Sequence, residues 1–415
     1  MNFFCDPRLL LKETDLVERF LTYVRFDTQS DESSSSFPST RGQVRLARHL
    51  VDELREMGIG DAAVDDNGYV TATIDGDATR GTIGLIAHLD TSPAAPGAGV
   101  SPVLHEDYDG GDIVLNDGVI IPAEENPELA RYVGDTIISG DGTTLLGADD
   151  KAGIAVIMAA AKYLTEHSEV PRPRVRIAFT PDEEIGNGAS RFPLDVFGAD
   201  MAYTIDGSFA GEINIETFDA AAAEVVIEGV STHPGQAKGK LVNALKWMAC
   251  LLSRLPEDRS PETTEGREGF IHPVTISGDA ALCKTEFLLR DFEPGRVEDL
   301  GTLLRSLLAD IEKEEPRVRT RLSIKQTYPN MVRFLKERPE ILERLEQAVS
   351  RAGLTPAVIP VRGGTDGSVL TEHGLLCPNV FAGGMNFHDK REWVADRAMG
   401  LSLCTVLNLM VSHAT

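Results

Sequence analysis

The chain has 415 residues, 42% of them hydrophobic, and a formal charge of −25. That length predicts two to three domains with a large core, and the charge argues against nucleic acid or anionic membrane as partners, because both would repel such a surface. No stretch approaches the roughly 18 uninterrupted apolar residues of a membrane span, and Asp6, Arg8, Lys12, Glu13 and Asp15 break up the N-terminal apolar stretches, so no signal-peptide core and a cytoplasmic location are expected.

Along the chain, helical apolar spacing covers residues 13–25 and 40–57. Between them residues 30–39 are Ser-rich and read as a mobile surface loop. Strand and helix signals then alternate up to Asp206, which predicts an α/β domain built on a doubly wound, mostly parallel sheet. Several short β-branched runs end in metal-capable side chains. Residues 83–87 precede His88 and Asp90, 175–180 precede Glu183 and Glu184, 202–205 precede Asp206, and Val380 and Phe381 precede His388. Ligands of open α/β sheets bind outside the carboxyl ends of strands, so side chains far apart in sequence can converge there. From about Phe218 the pattern changes to strand 220–227, helix 241–255, strand 285–290, helix 297–313 and strand 317–326. This predicts an inserted α+β domain over 218–329 between catalytic segments 1–217 and 330–415. The α/β pattern resumes after Pro329, with a helix over 339–352. The five cysteines (Cys5, Cys250, Cys283, Cys377, Cys404) are odd in number, widely spaced and free of any metal-type pair, and read as reduced thiols.

Converging His, Asp and Glu side chains suggest a metal-dependent hydrolase, since zinc and similar ions take imidazole nitrogen and carboxylate oxygen. Two ions about 3.5–4 Å apart need a bridging carboxylate. Asp149 suits that part, because it directly precedes an Ala-rich helix reaching Leu164. Taken alone, an Asp there is a helix N-cap, and an acidic pair such as Glu183 and Glu184 is a solvated turn. The coincidence of all the clusters favours metal. Of the adjacent glutamates, one can bind metal while the other acts as general base. Asp90, two residues after His88, can orient its imidazole.

In order, the stretches His88-Leu89-Asp90, residues 147–153, residues 181–186, Thr204-Ile205-Asp206-Gly207 and Asn386-Phe387-His388 resemble the di-zinc exopeptidases that include aminoacylase, carboxypeptidase G and succinyl-diaminopimelate desuccinylase. GGDI from Gly110, GTTLLGADDKAGIA from Gly142, STHPGQAKGKLVNA from Ser231, LLRDFE from Leu288 and RGGTDG from Arg362 narrow the resemblance to the peptidase T group of tripeptide aminopeptidases.

The resemblance implies two zinc ions, one on His88, Asp149 and Asp206 and the other on Asp149, Glu184 and His388. Glu183 becomes the catalytic base and Asp90 the partner of His88. The inserted domain corresponds to a lid or dimerisation domain, so a homodimer is a further expectation. His233 is the candidate oxyanion donor, Arg290 and Arg362 the candidate clamp for a substrate carboxylate, and Gly363, Gly364 and Gly367 would let backbone approach the ligand. The implied substrates are small peptides. A related deacylase or carboxypeptidase would share these metals, and a silent binding protein is disfavoured because Glu183 and all five ligands are present. Asp389 and the Ser-rich loop depart from the group's pattern.

Overall fold

A computed structural model describes residues 6–414. They divide between two units, the first comprising the chain up to Ile215 with Phe334–Ile359 and Thr365 onward, the second Glu216–Arg333 with Pro360–Gly364. The first unit opens with helices α1 (Pro7–Glu13), α2 (Leu16–Tyr23) and α3 (Arg41–Glu56). Strands β1 (Ala63–Val64), β2 (Val70–Ile74), β3 (Asp77–His88), β4 (Val103–His105), β5 (Ile113–Val114), β6 (Ile120–Ile121) and β7 (Ile137–Ser139) follow. Next come α4 (Ala148–Glu166), β8 (Pro173–Thr180), α5 (Leu194–Phe197), β9 (Met201–Gly207) and β10 (Glu212–Asn214). The second unit holds β11 (Asp219–Glu228), α6 (Ala244–Leu252), β12 (Phe270–Gly278), β13 (Leu282–Asp291), α7 (Arg296–Glu314) and β14 (Arg319–Tyr328). After α8 (Val332–Leu335) the first unit resumes with α9 (Pro339–Arg351), β15 (Ala357–Val358), α10 (Asp366–Glu372), β16 (Asn379–Phe381), β17 (Gly384–Met385), β18 (Trp393–Ala395) and α11 (Asp396–Ala414).

The main sheet of the first unit runs β1-β2-β8-β3-β9-β16-β10-β15. Its centre, β8-β3-β9-β16, is parallel, while β1–β2, β2–β8 and β10–β16 are antiparallel. The sheet is thus mixed, because a link as short as that between β1 and β2 permits only an antiparallel pair. The last six residues of β3 are buried, as central strands covered on both faces must be. Helices α4 and α11 are apolar nearly all round, pack on each other and on β3, and form buried layers. Register sets His88 opposite Thr180 of β8 and Ile86 opposite Thr204 of β9. Residues at or just past the carboxyl ends of three neighbouring strands therefore share one edge.

Several local expectations change. The helix expected over 13–25 is α2 alone, since Thr14 turns extended and its N–H closes α1 on the Leu10 carbonyl. The Ser-rich stretch is irregular, but its ends are buried and held: Ser30 N–H donates to the Thr91 carbonyl at 3.1 Å, and Ser39 donates to Asp182 through both its N–H and its hydroxyl. His388 does not directly follow a strand of the main sheet. It lies in the loop between β17 and β18, which join β7 and β4 in a separate four-stranded sheet. Cys250, Cys283 and Cys377 are free thiols, whereas Cys404 is disulfide-bonded rather than reduced. Cys5 lies outside the described residues.

The second unit is an antiparallel sheet in the order β12-β13-β11-β14, with α6 and α7 packed on it through Val225, Ile227, Met248, Phe287, Leu304 and Ile311. Sequence patterning had no place for β12, whose Pro273 sits at a register shift and is tolerated because the strand is an edge. Helix α6 is shorter than expected, because Val242 is drawn into a bridge with Val230 and Asn243 caps the helix start by accepting from Lys246 N–H. Among the described residues no helix is long and apolar enough to cross a membrane.

Candidate metal centre

His88, the last residue of β3, is buried. Its Nε2 lies 2.9 Å from Asp149 Oδ1 and 3.7 Å from Asp206 Oδ1, while Nδ1 lies 3.1 Å from the Asp90 carbonyl and 3.4 Å from Asp90 Oδ1. The other oxygen of Asp149, Oδ2, is 3.2 Å from His388 Nε2, which is also 2.8 Å from Glu184 Oε2. Asp149 thus turns one oxygen to each histidine. Asp206, the penultimate residue of β9, and Glu184, just past β8, complete the ring. His88 with Asp150 and Asp206, and His88 with Asp149 and Glu184, each bring ligand atoms within 4.8 Å of one another.

The backbone around these side chains is held by carboxylates that periodicity alone does not single out. Asp90 accepts from Glu183 N–H at 2.9 Å and Glu184 N–H at 3.1 Å, so it orients the glutamate pair as well as His88. Buried Glu392 accepts from Leu146, Gly147 and Asp149 N–H at 2.7, 2.6 and 3.0 Å. That loop is needed because Asp149 and Asp150 lack helical backbone angles. Glu392, not a helix start, therefore fixes Asp149. Asp150 accepts from His88 and Gly153 N–H. Asp182, in left-handed conformation at φ 58°, accepts from Ser39 and Gln43 and anchors the chain just before Glu183. Glu183 Oε1 accepts from Asp366 N–H at 3.3 Å.

Burial and mutual repulsion raise most of these acids. Glu183 is pushed well above the usual carboxylate range by burial and by Asp206, Asp366 and Glu184. Glu184 rises to about 7 through burial and Asp149, and Asp206 to about 6 from the same causes. Asp149 goes the other way: burial would raise it, but hydrogen bonds with His388 and His88 hold it down. His388 is raised to about 10 by Asp149 and Glu184, and His88 is raised despite its burial by Asp149, Asp206 and Asp90. Protons on the histidines stand where the cluster calls for positive charge. Glu184 Oε1 is moreover buried without a hydrogen-bond partner. Imidazole nitrogens, buried carboxylates and an unsatisfied oxygen form a donor set that fits zinc or a similar divalent ion.

The remaining candidates lie elsewhere. In the second unit His233 is exposed, its Nδ1 accepting from Gly235 N–H at 3.2 Å. Arg290 Nη1 donates to the Ala221 and Leu289 carbonyls, each at 3.0 Å. Arg362 donates to the Gly266 and Glu268 carbonyls and to Thr264 Oγ1. Gly364 and Gly367 serve internal packing, for a Cβ would come within 2.6 Å of the Tyr328 ring or 2.4 Å of the Cys377 carbonyl, while at Gly363 it would meet the Val361 side chain at an ordinary 3.9 Å. The charge of Asp389 is matched by Arg391 at 3.2 Å and does not add to the cluster unopposed.

The sequence profile of Peptidase family M20/M25/M40 matches residues 141–410. Peptidase T of Bacillus subtilis strain 168 is 46% identical over 385 residues, 92% of this chain and 94% of that one. Peptidase T of Shouchella clausii is 43% identical over 397 residues, 95% and 97% of the two chains. Among solved structures, aminopeptidase PepT of Bacillus cereus superposes with a TM-score of 0.74 at 21% identity, over 96% of this chain and 98% of that one. A tripeptidase of Staphylococcus aureus also gives 0.74, at 20% identity over 99% of both chains.

Proposed function

This chain belongs to the peptidase T group of Peptidase family M20/M25/M40, and from that premise we propose that it is a di-zinc aminopeptidase that releases the N-terminal residue of tripeptides. It is a peptidase and acts on peptide substrates. The observation that carries the finer reading is Asp149, with one oxygen toward His88 and the other toward His388. We assign His88, Asp149 and Asp206 to one ion and Asp149, Glu184 and His388 to the other. Such ions, when bound, polarise a peptide carbonyl and lower the pKa of water from about 15.7 to near 7.

The chain's own groups do the rest. Glu183 takes a proton from the attacking water and returns it to the leaving amine. Burial and the neighbouring acids raise its pKa, which favours uptake of a proton by its carboxylate. Asp90 keeps Glu183 and Glu184 in place through their N–H groups, and Asp366 N–H steadies the Glu183 carboxylate. From the second unit, His233 is the proposed oxyanion donor, and Arg290 and Arg362 further substrate contacts. The same unit is the proposed lid and homodimer surface, a reading supported by edge strand β12 with Val274 and Ile276 about half exposed and checked by sedimentation. A cytoplasmic location is part of the proposal.

The deciding experiment is a substrate panel assayed with zinc: free tripeptides, N-acetylated tripeptides, dipeptides and N-acyl amino acids. A site that pairs an ammonium leaves its polar groups unsatisfied when the amine is acetylated, so acetylated tripeptides should be very poor substrates. Equal cleavage of acetylated and free tripeptides would replace the aminopeptidase reading with a deacylase.

A further inference from the structure

Asp206 lies where the main sheet no longer holds the backbone by itself. Strand β9 pairs with β3 only as far as Thr204, and its ladder with β16 steps from Ile205–Val380 to Gly207–Phe381. Asp206 is the extra residue of that step and has no paired residue on either neighbour. Such a residue leaves the ladder locally disrupted and the strand bent. A side chain takes over: Asn379 Oδ1, on β16, accepts the Asp206 N–H at 3.1 Å and the Thr204 hydroxyl at 2.9 Å.

The Asn379 amide is itself fixed. Its Nδ2 donates at 2.9 Å to Oδ1 of Asn214, the residue paired with it on β10. Asn214 Nδ2 donates at 2.9 Å to Glu212 Oε1 and at 2.9 Å to the Ile359 carbonyl. Glu212 Oε2 accepts from Ser208 N–H at 3.0 Å and from the Ser208 hydroxyl. The relay thus starts on Asp206 and returns to the chain two residues beyond it. Thr204, Glu212, Asn214 and Asn379 are all buried, where an unpaired polar group is costly. Turning the Asn379 amide over would set its NH2 against the Asp206 N–H and its oxygen against the Asn214 oxygen, so the relay has one satisfied arrangement. None of the four is a candidate metal ligand.

Resting on the metal assignment proposed above, we infer that Asn379, oriented by Asn214, is a positioning residue that sets Asp206 for the ion assigned to His88, Asp149 and Asp206. A strand end already fixed in place gives up little freedom when its carboxylate coordinates, so the relay strengthens binding without touching the ion. Asp206 belongs to one of the two assigned ions, and the effect is confined to that one.

The test equilibrates zinc-loaded wild type, Asn379→Ala, Asn214→Ala, their double variant and Thr204→Val with graded chelator buffers, and reads retained zinc by elemental analysis. In Asn379→Ala one ion should leave at about 10- to 100-fold higher free zinc than in wild type, the range for removing a group that orients a ligand. The other ion should keep its affinity. Asn214→Ala and Thr204→Val, which only loosen Asn379, should split the two ions in the same sense by less. The double variant should lose no more than Asn379→Ala alone, because the two amides act through one bond to Asp206. A merely structural role predicts a lower unfolding midpoint with no split between the ions. Equal retention by wild type and every variant that folds, or weakening of both ions alike, overturns the inference. Wild-type protein that does not hold two ions overturns instead the metal assignment beneath it, and that is visible before any variant is compared.

Discussion

At Glu183, exchange for Gln keeps size and nearly keeps shape while removing the base. Activity should fall by about 10² to 10⁴, the usual contribution of general acid–base catalysis, with metal content retained. Near-normal turnover would assign the proton shuttle to another group. Asp90 makes a different prediction, because its two oxygens are the acceptors for the N–H groups of Glu183 and Glu184. Asp90→Ala strands both in a buried setting, at about 1–3 kcal/mol each, and should lower the unfolding midpoint clearly further than Asp90→Asn, which keeps one acceptor. Equal midpoints for the two variants would remove Asp90 from the role of clamp. The convergence of His88, Asp149, Glu184, Asp206 and His388 was legible because metal-capable side-chain types are few, and all of these but Asp149, which precedes an Ala-rich helix, come after short apolar runs. Asp150, Glu392 and Asp182 were not, because their carboxylates accept from backbone N–H groups of distant parts of the chain, and neither was Asp366, which donates its own N–H to Glu183; no local pattern announces such contacts.

Among the elements, α11 offers a pH test remote from the candidate metal centre. His413 near its end has Nε2 2.8 Å from the Tyr203 hydroxyl, and burial, with Arg344 nearby, lowers its pKa to about 4. In the unfolded chain it takes up a proton near pH 6.5, so between about 6.5 and 4 the unfolded state binds more protons and stability falls as pH drops. Wild type should therefore lose more stability than His413→Gln when denaturant unfolding at about pH 7 is compared with about pH 5. Identical losses would show that His413 titrates alike in both states. Element existence was readable where periodicity was strong, as in α3, α7, α9 and β11. It failed for β12, where Pro273 and a register shift break alternation, and for the residues before α6, where a bridge to Val230 overrides helical spacing.

On the scale of the whole molecule, the formal charge of −25 includes a buried acidic cluster whose repulsion bound cations would relieve. A ligand that binds only the folded state stabilises it in proportion to the logarithm of its concentration over Kd. Chelation should abolish activity and lower the unfolding midpoint together, elemental analysis should find close to two divalent ions per chain, and zinc should restore both properties. Full activity in thoroughly demetallated protein would sink the metal assignment. Pro360–Gly364 belongs with the second unit through the Thr217–Val361 bridge and the bonds of Arg362 to Thr264, Gly266 and Glu268. Such a return visit of five residues leaves no periodic signature.

The first unit is assembled from stretches separated by the second, and His388 and Glu392 come from its last stretch. A nascent chain that has emerged from the ribosome only through Asp206 already carries His88, Asp149, Glu184 and Asp206. It lacks the imidazole beside Asp149 Oδ2 and the carboxylate that grips Leu146, Gly147 and Asp149. On the proposed ligand set, hydrolytic competence arrives only late in translation, and a proteolytic cut that removes the β17–β18 loop silences the enzyme while leaving most of its sheet intact.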